Sequence, residues 1–193
     1  MPTLSPGSLR SLRPAAAETF DWQGRTVILR ALRPEDGTLL RVLATHVAAS
    51  DPGFSGPVSL EITALARTTR AVCAQGGGPS AFIAVDLDED GRCEALGFVL
   101  AKHDAERGAG ELAIALRHDV KRRRLGRRLV AKTLEVLHGG GTRRVAVRVR
   151  AGDEAMRSLL REVGFVMDLR QAEPGRLSYL HDAAFATRAD VAA

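Results

Sequence analysis

Aromatic residues make up only 4% of this 193-residue chain, with one tryptophan and one tyrosine. That scarcity argues against a nucleic-acid surface, which stacks bases on aromatic rings. The two cysteines, Cys73 and Cys93, have neither metal-ligand nor redox spacing. Read as reduced and buried, they suit the cytoplasm, and no metal is expected. No apolar run approaches the roughly 18 residues of a membrane span, so no membrane partner is expected. No acid precedes Glu18, and the same segment lacks the hydrophobic stretch of a secretion signal. Residues 1–20, rich in Pro, Ser and Ala, are therefore expected to form a disordered leader. Residues 21–183 are expected to form one domain with a substantial core, followed by a tail over 184–193.

What the chain does carry is positive charge and a clear succession of periodic segments. Lys and Arg number 28 against 23 Asp and Glu, a net charge of +5 supplied mostly by arginine. Such a balance favours anionic partners and does not bear on fold. Residues 26–32 read as a strand, and Pro34-Glu35-Asp36 as a helix start before the apolar face of Leu39, Leu40 and Leu43. A second helix is expected over 60–74. Residues 81–86 and 95–103 form a hairpin pattern, and 111–116 a further strand. A helix over 125–137 ends at Gly139-Gly140-Gly141. Then come a strand over 144–149, a helix over 155–163, and two strands at 165–169 and 177–180. The order β-α-α-β-β-β-α-β-α-β-β implies an α/β fold with a mixed, largely antiparallel sheet flanked by helices.

The stretch from Glu111 to Val130 combines these signals. Leu112, Ile114 and Leu116 alternate as a strand, a basic loop follows, and a helix begins. A loop entering a helix presents unpaired backbone N–H groups, which bind anions. The basic residues Lys121 to Arg128 lie at the helix end where the macrodipole disfavours cations. A phosphate-bearing ligand accounts for that placement. A nucleic-acid patch and a solvated helix start are the other readings of the same residues. Glu111 is on its own terms an exposed carboxylate at a strand start.

The element order and the basic loop resemble the GNAT N-acetyltransferase fold over about Thr26 to Asp182. Leu116 to Gly126 is similar to the end of the family's fourth strand, its pyrophosphate loop and the start of its third helix, with the pattern Q/R-x-x-G-x-G/A. Asp153 to Met156 and Val163-Gly164-Phe165 are similar to the family's N-x-x-A/M followed by a Gly-Phe pair. Residues 26–36 (TVILRALRPED) and 111–116 resemble bacterial protein-lysine acetyltransferases that act on acyl-CoA synthetases. The resemblance implies acetyl transfer from acetyl-CoA to an amine, either a small molecule or a protein lysine. It places Glu111 as general base. Coenzyme A would contact Leu116, Arg117, Lys121, Arg122 and Arg123, then Arg124, Leu125, Gly126 and Arg127, with Asp153 near the pantetheine. A backbone N–H of a β-strand would polarise the thioester carbonyl. The strands after Leu116 and at 144–149 would separate to admit the pantetheine. A monomer or a homodimer fits the family.

Three departures accompany the resemblance. In one register Lys121 takes the Q/R place and Arg124 the first glycine's place; in the other Arg123 starts the motif and Arg128 falls on a small position. An arginine forced to positive φ carries strain of about 1–2 kcal/mol, while its guanidinium is a bidentate phosphate ligand. Asp153 stands where the family usually has Asn. Leu160 stands where many members have a tyrosine general acid, leaving the thiolate to take its proton from water or another group. These departures keep open a second reading, a non-catalytic GNAT-like module that senses acyl-CoA or binds a partner.

Overall fold

The computed structural model describes residues 17–50, 80–87, 93–104, 107–120 and 124–184. Eight strands form one sheet: β1 (Glu18–Trp22), β2 (Arg25–Ala31), β3 (Ser80–Leu87), β4 (Cys93–Asp104), β5 (Ala109–Leu116), β6 (Arg144–Arg150), β7 (Val166–Glu173) and β8 (Arg176–Asp182). Their spatial order is β1-β2-β3-β4-β5-β6-β8-β7. Every neighbouring pair is antiparallel except β5–β6, which is parallel. Three helices are described: α1 (Gly37–Ser50), α2 (Leu125–Gly139) and α3 (Glu154–Glu162). The helix expected over 60–74 lies outside the described residues.

Alternation along the strands divides the core between the two sheet faces. Leu112, Ile114 and Leu116 of β5 and Val145, Val147 and Val149 of β6 are buried with Leu125, Leu129 and Val130 of α2 and Leu160 of α3. On the other face, Ala115 of β5 and Phe98 and Leu100 of β4 are buried with Leu40, Leu43 and Val47 of α1. The α1 start is fixed by a buried ion pair. Arg30 donates to both Asp36 carboxylate oxygens at 2.6 and 2.7 Å, and the Arg33 backbone N–H donates to Asp36 Oδ2 at 2.7 Å. Thus the Pro34–Asp36 turn, expected as a helix start, is held against β2 from the inside.

Two elements differ from the sequence expectation. β1 begins at Glu18, so residues 18–20 of the expected leader belong to the sheet. Its turn, Gln23-Gly24, takes φ values of 57° and 76°, the left-handed pair that suits a two-residue hairpin. Trp22 closes β1 and is buried in the core. β7 extends to Glu173, with its register against β8 irregular between Asp168 and Glu173. Phe165, expected to open that strand, instead packs on the His181 ring at 5.2 Å.

Candidate active site

The parallel ladder between β5 and β6 pairs only Ala109–Leu112 with Arg144–Val147. Beyond Leu112 and Val147 both strands continue, to Leu116 and Arg150, without pairing to one another. A cleft therefore opens in the middle of the sheet, starting four residues before Leu116. Its apex is lined by Leu112 and Val147 on the α2 face and by Glu111 and Ala146 on the α1 face.

At the mouth of the cleft the chain leaves β5 through Arg117, a short 3-10 turn (His118–Val120) and the start of α2. Arg117 is engaged by carboxylates: Nε and Nη2 donate to Asp119 at 2.9 and 2.6 Å, and Nη1 donates to Glu94 at 2.7 Å. Those hydrogen bonds raise the guanidinium's pKa above its ordinary value and hold the Asp119 carboxyl below the usual carboxylate range. Arg117 thus stiffens the exit from β5. Lys121, Arg122 and Arg123 lie outside the described residues.

Arg124 is the N-cap of α2 and adopts φ 66°, ψ −7°, the left-handed conformation, with no side-chain cap hydrogen bond. Of the two arginines that occupy a glycine place in the alternative registers, Arg124 has the glycine-like backbone. Arg128 lies within the helix, its N–H donating to the Arg124 carbonyl at 3.3 Å. The Arg128 guanidinium sits 4.1 Å from the centre of the Phe20 ring and pairs with Glu18 at 3.1 Å. Gly126 answers a packing need. A Cβ there would lie 2.7 Å from Leu116 Cδ1 and 3.0 Å from Leu159 Cδ2. Gly126 thereby lets β5, α2 and α3 converge beside the cleft. Leu116 and Leu125 are buried at this junction, while Arg124 and Arg127 are exposed. A helix start bearing two exposed guanidiniums is a donor set suited to phosphate oxygens, so the residues present fit the phosphates of coenzyme A.

Glu111 lies on the opposite face, at the apex of the cleft. It pairs with Arg148 of β6 at 3.5 Å, and each side chain is about half exposed (48% and 50%). Sequence reasoning had no role for Arg148, because only the parallel register of β5 and β6 brings it to Glu111. The alternation in RVAVRVR is the signal that was present. With Val145, Val147 and Val149 buried, Arg144, Arg148 and Arg150 must share the other face. Arg150 stands directly opposite Arg176 of β8.

The remaining expected residues serve α3. Asp153 is its N-cap, accepting from the Met156 N–H at 3.0 Å. Leu160 is fully buried. The one tyrosine, Tyr179, is also buried, and its hydroxyl accepts from Arg157 Nε at 3.4 Å. Among the described residues, no cluster of three or more His, Cys, Asp or Glu side chains could hold a metal ion. No helix among them is long and apolar enough to cross a membrane.

The fold has known counterparts. The chain is similar to the GNAT domain of S. lividans PAT, with 16% identity, a TM-score of 0.67, and coverage of 86% of this chain and 96% of that one. It is similar to Mycobacterium smegmatis RimJ in complex with CoA-disulfide, with 17% identity, a TM-score of 0.64, and coverage of 94% and 96%. It is also similar to the PaiA N-acetyltransferase of Thermoplasma acidophilum in complex with coenzyme A, with 16% identity, a TM-score of 0.62, and coverage of 81% and 98%. These likenesses concern the fold. No curated protein matches the chain significantly in sequence. The model of the acetyltransferase (GNAT) family matches residues 57–165, more than half of the chain. The chain belongs to the GNAT acetyltransferase family.

Proposed function

We propose that the protein is an N-acetyltransferase that moves an acetyl group from acetyl-CoA to an amine. The observation that carries this reading is the cleft between β5 and β6, which joins two chemically different faces. On one face the start of α2 offers backbone N–H groups, Arg124 and Arg127 for phosphates; on the other, Glu111 waits at the apex. Acetyl-CoA supplies the activated thioester. Glu111 takes a proton from the acceptor ammonium, and the freed amine lone pair forms the N–C bond as the C–S bond breaks with its electrons on sulfur. The second amine proton ends on that sulfur, through water in the absence of a tyrosine at Leu160, and Glu111 returns its own proton to solvent. Cys93, expected to be buried, is exposed; a cytoplasmic location is part of the proposal.

Free thiol released from acetyl-CoA in the presence of a panel of amines, protein lysines included, tests the reading. Glu111→Gln should lower kcat by about 10²-fold, at the low end of general-base effects. Coenzyme A binding with no amine-dependent thiol release would instead favour an acyl-CoA sensor, the role to which the buried Leu160 points.

A further inference from the structure

On the reading of Glu111 as general base just given, we infer that Arg148 is its positioning residue, aiming the carboxylate into the open part of the cleft. Glu111 stands opposite Ala146, within the last stretch of the β5–β6 ladder. Arg148 follows Ala146 by two residues on the same face of β6, about 7 Å further toward the mouth. It is the first residue beyond the last paired positions, Leu112 and Val147. The ion pair therefore runs diagonally over the apex, from strands still joined to a strand that has parted. A carboxylate drawn toward Arg148 leans over the gap in which thioester and amine would meet. A half-exposed glutamate on a strand otherwise keeps much of its rotamer freedom.

The neighbours of Arg148 leave this as its role. Ser178 of β8, directly opposite it, carries no charge. Beyond Glu111 the residues of β5 that face the same side are Ala113 and Ala115, which pack into the core under α1. Lys102 of β4 is also in register with Glu111, but on the edge of β5 turned away from the cleft. The separation suits guidance. At 3.5 Å the pair is longer than the charge-assisted hydrogen bond of about 2.7–2.9 Å. Arg148 thus orients the carboxylate by charge and leaves its lone pairs to accept from an incoming ammonium. A half-exposed pair adds little to folding stability, so an effect of Arg148 on turnover is separable from an effect on the fold.

Thiol release from acetyl-CoA, measured at steady state with the most reactive amine, is the assay. Arg148→Ala should lower kcat about tenfold, part of the roughly 10²-fold that a misplacement of about 1 Å can cost, and leave the amine's KM unchanged. Arg148→Met keeps the stem without the charge and should fall as far, while Arg148→Lys should recover part of the loss. In a Glu111→Gln background, Arg148→Ala should lower kcat no further, because the two residues act as a unit. Coenzyme A affinity and the urea midpoint should stay at wild-type values in the Arg148 variants. A raised KM with kcat preserved would make Arg148 an acceptor contact instead. Additive losses in the double variant would make it independent of Glu111, and a urea midpoint that falls with kcat would make its role structural. Each of these overturns the inference and leaves the acetyltransferase reading standing, as does full activity of Arg148→Ala. If Glu111→Gln keeps the wild-type kcat, or no amine releases thiol, the reading of Glu111 fails and the inference falls with it.

Discussion

Replacing Arg124 with glycine should stabilise the protein, an uncommon direction for a mutation to glycine. Arg124 holds φ 66°, ψ −7° at the N-cap of α2, where a side chain costs about 1–2 kcal/mol relative to glycine. Glycine would relieve that strain and is an accepted N-cap. It would also increase the conformational freedom of the unfolded chain, offsetting about 0.4–1 kcal/mol of the gain. Removing a cation from the positive end of the helix dipole adds a small favourable contribution. The net expectation is a gain of about 1 kcal/mol, or a rise in Tm of about 2–4 °C for a chain of this size. Urea denaturation of wild type, Arg124→Gly and Arg124→Ala is the assay. Alanine removes the charge and keeps the strain, so Arg124→Ala should fall below Arg124→Gly. If the glycine variant is no more stable than the alanine variant, the left-handed backbone at Arg124 is wrong. The same variant titrated with coenzyme A should bind more weakly if Arg124 is a phosphate ligand, and more tightly if its side chain obstructs the loop.

Other perturbations probe separate parts of the account. Asp36→Asn breaks a buried ion pair whose carboxylate is 2% exposed, and the uncompensated Arg30 should cost about 3–5 kcal/mol in denaturant unfolding. Gly126→Ala brings a methyl group within 2.7 Å of Leu116, and overpacking there should cost about 1–3 kcal/mol with weaker coenzyme A binding; an unchanged stability would mean the junction of β5, α2 and α3 is looser than described. His181 is buried, and its Nδ1 lies 3.1 Å from His138 Nε2. Burial first, and then neighbouring His138, hold its pKa below the ordinary 6.5, against a smaller opposing effect of Asp182. The unfolded chain therefore binds the proton more readily, so stability is full above about pH 6.5 and is lost as pH falls through the lower folded value. His181→Asn should flatten that acid limb of the stability–pH curve, and an unaltered slope would remove the pair from the explanation.

How far the sequence reached depended on the range of the interactions involved. The β5–loop–α2 segment was readable because its signals are local: period-two alternation to Leu116, a break, then helical spacing from Leu125. The core faces followed for the same reason, as in the RVAVRV alternation of β6. Arg124 was narrowed to one of two places, and only backbone geometry distinguishes it from Arg128. β1 was hidden because Phe20 and Trp22 are its only large apolar residues. Arg117 looked like a phosphate ligand from its position, but Glu94, 23 residues away, shares it with Asp119. The Glu111–Arg148 couple and the His138–His181 pair are likewise products of strand register and packing: alternation puts Arg148 on its face of β6, and only the register brings it to Glu111.

The proposed reaction requires that the cleft between β5 and β6, with the start of α2 beside it, hold acetyl-CoA. Calorimetric titration of the purified protein with acetyl-CoA tests it most directly. Saturable binding below millimolar ligand is expected, weakened by charge removal at Arg124 and Arg127 together and weakening further as salt is raised. No binding at millimolar acetyl-CoA would contradict it.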